Sequence, residues 1–262
     1  MEVRLVGYET AKAFIARWHY AIVMPAQTLF QLGGFIGERL VAVSTWGYGV
    51  RPLHTISKLF PGLKTSDYLE LGRLCVADDQ PKNTESRFIS LCVRHISKMP
   101  GRKWKLLFTW ADGILGKPGY VYQASNWLYG GYIWTDAYIS QCGEKIHARG
   151  YQNKTREGVR EGLKYGKRPT LAVCREHGWT QYFGKQFRYV KFICSNAERK
   201  KLLKMSTVEW STNYPKHVDL EWKIRAGQGS RVSCGPPRFT GAVRFRSPAP
   251  LFDCQSIRIE ND

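Results

Sequence analysis

The chain has 262 residues, 43% hydrophobic and 13% aromatic, with 40 Lys+Arg against 21 Asp+Glu and a formal net charge of +19. That length suits one full α/β domain with an extension, or two small domains, and the composition can fill a substantial core. No apolar run approaches the roughly 20 residues that span a bilayer, and the opening Met-Glu-Val-Arg-Leu-Val lacks a signal-peptide pattern, so a soluble cytoplasmic protein is expected.

In chain order, residues 9–19 read as a first helix, with Thr10 as its cap and Phe14, Ile15 and Trp18 turned inward. A linker holding Pro25 leads to two strands, Leu29–Ile36 and Leu40–Trp46, joined by Gly-Glu-Arg. Residues 47–68 read as a long glycine- and proline-punctuated loop. A strand at 70–77 ends in Asp78-Asp79 and Pro81, and Asn83 or Thr84 then caps a helix at 84–98. Strand, short turn and helix start in this order bring unpaired N–H groups and a positive dipole toward an anion such as phosphate, although an ordinary capped helix has the same signature. Lys105–Trp110 is a β-forming run closed by Ala111-Asp112-Gly113, which sets a carboxylate at a strand end; an Asp-Gly turn reads the same way. Gly119–Trp127 suggests a short aromatic helix or turn. Tyr132–Tyr138 and Lys145–His147 suggest strands, Pro169–His177 a helix and Arg188–Ile193 a last core strand. Beyond residue 195 periodicity weakens. Residues 1–195 are therefore expected to form the main domain and 196–262 a basic, partly ordered extension packed on it or reaching from it. The order of elements predicts an α/β fold with a twisted mixed sheet flanked by helices.

Charge and cysteines narrow the function. Residues 151–262 hold 22 Lys+Arg against 10 Asp+Glu, and Lys185-Gln-Phe-Arg-Tyr-Val-Lys-Phe192 interleaves cations with aromatics. That mixture suits phosphate contacts and base stacking, so nucleic acid is the expected partner; a solvated basic strand is the plainer alternative. Seven cysteines, at 75, 92, 142, 174, 194, 234 and 254, contain no C-x-x-C pair, which argues against a zinc knuckle, a disulfide framework and zinc-deaminase chemistry.

Taken together, His19-Tyr20, Leu71-Gly-Arg-Leu-Cys-Val-Ala-Asp-Asp79, Pro81-Lys-Asn-Thr-Glu-Ser86, Ala111-Asp112, Val121-Tyr-Gln-Ala-Ser-Asn-Trp127 and His147-Ala-Arg149 resemble the Mom family of phage DNA-modifying proteins, over roughly residues 5–194. The resemblance implies a GNAT-like acyltransferase fold. It also implies conversion of adenine N6 in DNA to a carbamoylmethyl-amine, which shields phage DNA from restriction in the cytoplasm of the infected bacterial host. Carried onto this chain, it makes Tyr20 and Asp112 candidate metal ligands, with iron the metal, and Tyr20, Asp112, His19 and Tyr122 candidate catalytic residues. Arg73 and Ser86, with Asn83 at the helix start, are the candidate donor-binding set, and Trp127, His147 and Arg149 are candidates for holding DNA or the extruded base.

Without the resemblance, Tyr20 and His19 also read as the aromatic end of an amphipathic helix, and Tyr122 and Trp127 as core aromatics. Gln80-Pro-Lys-Asn-Thr-Glu85 departs from the Gln/Arg-x-x-Gly-x-Gly/Ala turn of coenzyme-A-binding relatives by lacking both glycines, which disfavours ordinary acetyl-CoA binding. Glycyl-tRNA and acetyl-CoA both stand as donors, and double-stranded DNA and tRNA as partners. Two other function classes stay open: a non-catalytic nucleic-acid-binding protein, and an acetyl or aminoacyl transferase with another substrate.

Overall fold

A computed structural model describes residues 1–21, 23–49, 52–146, 168–227 and 229–239, without the side chains of residues 52–54. The elements run β1 (Glu2–Val6), α1 (Tyr8–Trp18), β2 (Thr28–Ile36), β3 (Arg39–Gly47), α2 (Pro52–Leu59), β4 (Tyr68–Val76), α3 (Thr84–Ser97), β5 (Leu106–Asp112), α4 (Tyr120–Ala124), β6 (Leu128–Ile139), β7 (Lys145–Ile146), α5 (Leu171–Glu176), β8 (Thr180–Phe192), α6 (Asn196–Met205), β9 (Trp222–Arg225) and β10 (Arg231–Cys234).

One sheet carries them in the order β1-β2-β3-β4-β5-β8-β6-β7, with β9 on β8 and β10 on β9. β1 to β4 form an antiparallel meander, and the β2–β3 turn is two residues long. Such a turn requires a left-handed residue, and Gly37 supplies it at φ +57°. β4 and β5 are parallel, linked by α3, while β5, β6 and β9 all pair antiparallel with β8. β8 has room for three partners because β5 takes Gln186–Phe192 and β9 takes Tyr182–Gly184, while β6 runs along the opposite edge. This is the α/β arrangement expected of the sequence: a mixed central sheet with helices against it.

Burial explains where the helices sit. α3 presents Phe88, Ile89, Cys92 and Ile96 to Leu69, Leu71, Leu107, Phe187 and Tyr189. α1 buries Ala11, Phe14 and Ile15 against Val43 and Cys75. α2 buries Ile56 and Leu59, with Phe60, against Tyr68, Phe108 and Val190.

Several elements differ from the sequence expectation. The first helix starts at Tyr8 after an extended Gly7, and no side chain caps it, so Thr10 is helical rather than the cap. The expected loop at 47–68 contains α2, because Pro52 opens a helix, where its missing N–H costs nothing. The last core strand runs from Thr180, eight residues before the expected start. β1 was not foreseen. Beyond β8, Ser195 caps α6 by accepting from Glu198 N–H at 3.3 Å, and Ser211 bridges to Tyr129. Trp210 stacks on Phe60 at 5.4 Å and 7°, in a space that exists because residue 130 is glycine; a Cβ there would lie 2.2 Å from the indole.

Trp210 is 9% exposed and donates its indole N–H to Ser206 Oγ at 2.7 Å. Trp210→Ala is expected to cost about 3–5 kcal/mol of unfolding free energy, as buried Trp or Phe truncations do. Urea denaturation followed by circular dichroism measures it, and a loss under about 1 kcal/mol would mean that the extension contributes little to the core.

Candidate active site

The parallel pair β4/β5 is joined over only three residues, Tyr68↔Leu106, Leu69↔Leu107 and Glu70↔Phe108, and both strands continue past the last pair. From there β4 stays with β3 and β5 with β8, so the sheet parts into a wedge. The Thr109 hydroxyl spans the base of the parting by donating to Leu71 O at 3.1 Å. Just beyond, β4 bulges at Gly72: Trp46 faces Leu71 while the adjacent Thr45 faces Arg73. Glycine is needed at the bulge because a Cβ would stand 2.7 Å from Pro25 of the loop following α1. Arg73, re-aimed by the bulge, holds that loop with Nε to Ala21 O at 3.3 Å and Nη2 to Val23 O at 2.9 Å, and caps its own strand with Nη1 to Gly72 O at 2.8 Å.

The loop so held delivers His19 and Tyr20, whose rings stack at 4.3 Å. From the other wall β5 delivers Asp112. Its Oδ1 accepts from Ile114 N–H at 3.1 Å and its Oδ2 from Lys145 Nζ at 3.1 Å. The chain turns back after Asp112 through Gly113, where a Cβ would lie 2.4 Å from Lys185 O. That turn returns Lys117 to the site: its N–H donates to Asp112 O at 3.1 Å, and its ammonium lies 4.2 Å over the Tyr20 ring. Tyr122, on α4, is buried with its hydroxyl 3.5 Å from Thr109 Oγ1.

The protonation states follow from burial and from these neighbours. Burial first, then Arg73 and Lys117, push the His19 imidazole down to about 3, so it is neutral, and Nδ1 accepts from Ala21 N–H at 2.9 Å. Burial, Asp112 and Tyr122 push the Tyr20 phenol up against the opposing pull of Arg73, which keeps it a hydroxyl donor. Burial raises Tyr122 to about 12. Burial lowers Lys117, offset by Glu85 and Asp112.

The fold thus brings Tyr20, His19, Arg73, Asp112 and Tyr122 together and places Lys117, Lys145 and Glu85 among them, which sequence reasoning missed. The signal available for Lys117 was its place in Asp112-Gly-Ile-Leu-Gly-Lys-Pro-Gly119, a glycine-rich return directly after the strand-end carboxylate. Asn83 and Ser86 lie at the start of α3. Asn83 is left-handed at φ +66° and offers no side-chain cap, while the Ser86 hydroxyl donates to Asn83 O at 2.9 Å. Ser86 O also accepts from Ser125 Oγ at 3.2 Å, which ties α3 to α4.

Two expectations need correction. Trp127 is fully buried, 5.6 Å from the Tyr122 ring, and has no free face on which a base could stack. The residues expected to hold iron do not fit it. Lys145 occupies Asp112, Lys117 covers Tyr20 and Arg73 adds a third cation, so the corner is already lined with positive charge. His147 and Arg149 lie outside the described residues.

His19 is 8% exposed, and its folded value of about 3 lies below the 6.5 of an unfolded histidine. The unfolded chain therefore binds the extra proton first, and this contribution to stability is complete above pH 6.5 and falls away toward pH 3. The parent is expected to lose stability over that interval more steeply than His19→Gln, by up to about 1.4 kcal/mol per pH unit. Urea midpoints measured across the interval would show parallel slopes if His19 were not buried neutral.

The Mom protein family model matches residues 1–216. The methylcarbamoylase Mom of Escherichia phage Mu is 29% identical over 228 residues, spanning 82% of this chain and 88% of that protein. Among solved structures, an aminoglycoside 6′-acetyltransferase type Ii aligns with 75% of this chain and 99% of its own, at 10% identity and a TM-score of 0.37. The aminoglycoside 6′-N-acetyltransferase of Enterococcus faecium has the same coverage and identity, with a TM-score of 0.35. With the family match running over both walls of the wedge and into the segment beyond β8, this chain belongs to the Mom protein family.

Proposed function

We propose that this protein is a transferase that modifies phage DNA, converting adenine N6 to a carbamoylmethyl-amine and protecting the DNA from restriction in the cytoplasm of the infected host. The observation that carries the reading is the convergence of Tyr20, Arg73, Asp112 and Tyr122 at one parting of the sheet, in a chain of the Mom family. The net charge of +19 supports a polyanionic substrate, double-stranded DNA. Adenine N6 lies inside the base stack, so the base must be turned out of the duplex to reach the wedge.

N6 is a weak nucleophile because its lone pair is delocalised into the ring. In this reading Asp112 takes the proton from N6 as the new bond forms, and the Tyr20 hydroxyl donates to the acceptor oxygen of the transferred group. Arg73 holds the loop that carries Tyr20. No step runs through iron.

Product chemistry bears on the donor. Plain acetyl transfer attaches a carbonyl carbon to N6, whereas the product has a methylene there and a terminal amide. A glycyl group on N6 is an isomer of that product: its free amine attacks C6 through a five-membered ring and expels the original nitrogen as the amide. Activated glycine, carried as glycyl-tRNA, is therefore the donor we favour over acetyl-CoA. The turn before α3 supports this choice, since it places Asn83 in the left-handed conformation where coenzyme-A sites keep glycine bare.

Bacteria expressing the chain, grown with nitrogen-15 at adenine N6, are expected to yield modified deoxyadenosine with the label in the terminal amide. Label retained on the ring-attached nitrogen would rule out the rearrangement. Asp112→Asn is expected to lower modification by about 10²–10⁴-fold while duplex binding persists. If the parent binds DNA and never forms a modified base, the protein is a binding module.

A further inference from the structure

The wedge contains a lysine whose ammonium is offset only at a distance, by Glu85 and Asp112, with no direct ion pair among the described residues. Lys117 is half-buried, and among the described residues its ammonium has no carboxylate within ion-pair distance. The nearest acid by chain path, Asp112, is already engaged by Lys145 and Ile114 N–H. The ammonium rests instead on the face of Tyr20, 4.2 Å from the ring centre. A cation–π contact compensates part of the loss of hydration, and an anionic or strongly polarised ligand group would complete it.

Its mounting is rigid. Lys117 N–H is tied to Asp112 O at 3.1 Å, and the next carbonyl, that of Pro118, accepts from the Tyr189 hydroxyl. Gly116 on one side is left-handed at φ +69°. Gly119 on the other, at φ +96°, lies where a Cβ would be 2.5 Å from the Tyr189 ring. This backbone turns the side chain back over the Tyr20 ring, where the ammonium lies within the field of Glu85 and Asp112, and a charge set in place is what electrostatic catalysis requires.

We propose that the Lys117 ammonium is a catalytic group that receives the negative charge developing on the donor's carbonyl oxygen. This rests on the transferase reading above. N6 forms its bond to the carbonyl carbon, the π electrons of the C=O move onto oxygen opposite Lys117, and the N6 proton passes to Asp112. The C=O then re-forms, the bond to the ester or thioester leaving group breaks, and Asp112 returns the proton to that group.

The test compares Lys117→Met and Lys117→Arg with the parent. Modified deoxyadenosine formed per cell is read by mass spectrometry early in expression, and the purified full chains are compared for duplex binding by fluorescence anisotropy and for urea midpoint. The expected result for Lys117→Met is a loss of modification of about 10²–10³-fold, the effect of removing one oxyanion donor, with binding and midpoint unreduced. Lys117→Arg is expected to recover part of the activity. Modification that persists in Lys117→Met overturns this assignment alone. Loss of duplex binding or of the urea midpoint in step with modification overturns it in favour of a DNA-contact or structural role. A parent that never forms the modified base overturns the transferase reading and this assignment together.

Discussion

Two parallel strands that pair for three residues and then separate create the geometry on which the rest of this protein depends. A separated pair leaves backbone groups on two inner edges that must find other partners or face a ligand. One is met by the Thr109 hydroxyl, which reaches across to Leu71 O, and another by Arg73, which donates to Gly72 O. Both devices are side chains standing in for ladder bonds. The bulge at Gly72 belongs to the same solution, since it turns Arg73 toward the loop that carries Tyr20.

Electrostatically, the wedge favours negative charge arriving from outside. Arg73, Lys117 and Lys145 face Asp112 and Glu85, and the groups that could neutralise cations by ionising are held neutral. A phenol kept protonated is a donor, and a histidine kept neutral adds no further positive charge beside Arg73 and Lys117. The same side chains that look like an oxygen-rich metal corner when read along the chain therefore form, once folded, a set of donors and cations around one carboxylate. Acyl transfer to an amine requires such a set, because charge accumulates on the carbonyl oxygen as the bond forms.

Much of this was legible in sequence, for physical reasons that differ from element to element. The β2–β3 hairpin announces itself through two apolar, β-forming runs on either side of Gly37, and α3 through its apolar face. α2 was hidden because Gly49, Pro52, Pro61 and Gly62 read as loop punctuation, although a proline in the first helical turn breaks nothing. α6 carried a Ser195-x-x-Glu198 capping signal that weak apolar periodicity obscured. In the site, Asp112, Tyr20 and Arg73 could be singled out by motif. Trp127 could not be sorted, because a core indole and a stacking platform have the same local sequence, and only burial separates them. Lys117 is one of 40 basic residues, and nothing in one dimension shows that it folds back over Tyr20.

The wedge has two walls from different parts of the chain, and their relative position is a packing problem. The β1–β4 half with the loop after α1 holds Tyr20 and Arg73, while the half around β8 holds Asp112, Lys117 and Lys145. Three residue pairs and one hydroxyl bridge are a slight connection between halves of this size. The remaining connection comes from the cores on either face, where α3 binds Leu69 and Leu71 of one half to Leu107, Phe187 and Tyr189 of the other. On the opposite face α2 and Trp210 do the same for Tyr68, Phe108 and Val190. Residues beyond 195, far from the chemistry in sequence, therefore help set the spacing between Tyr20 and Asp112. A site split across two half-sheets needs this reinforcement, because groups that act together must hold their separation to a fraction of an ångström.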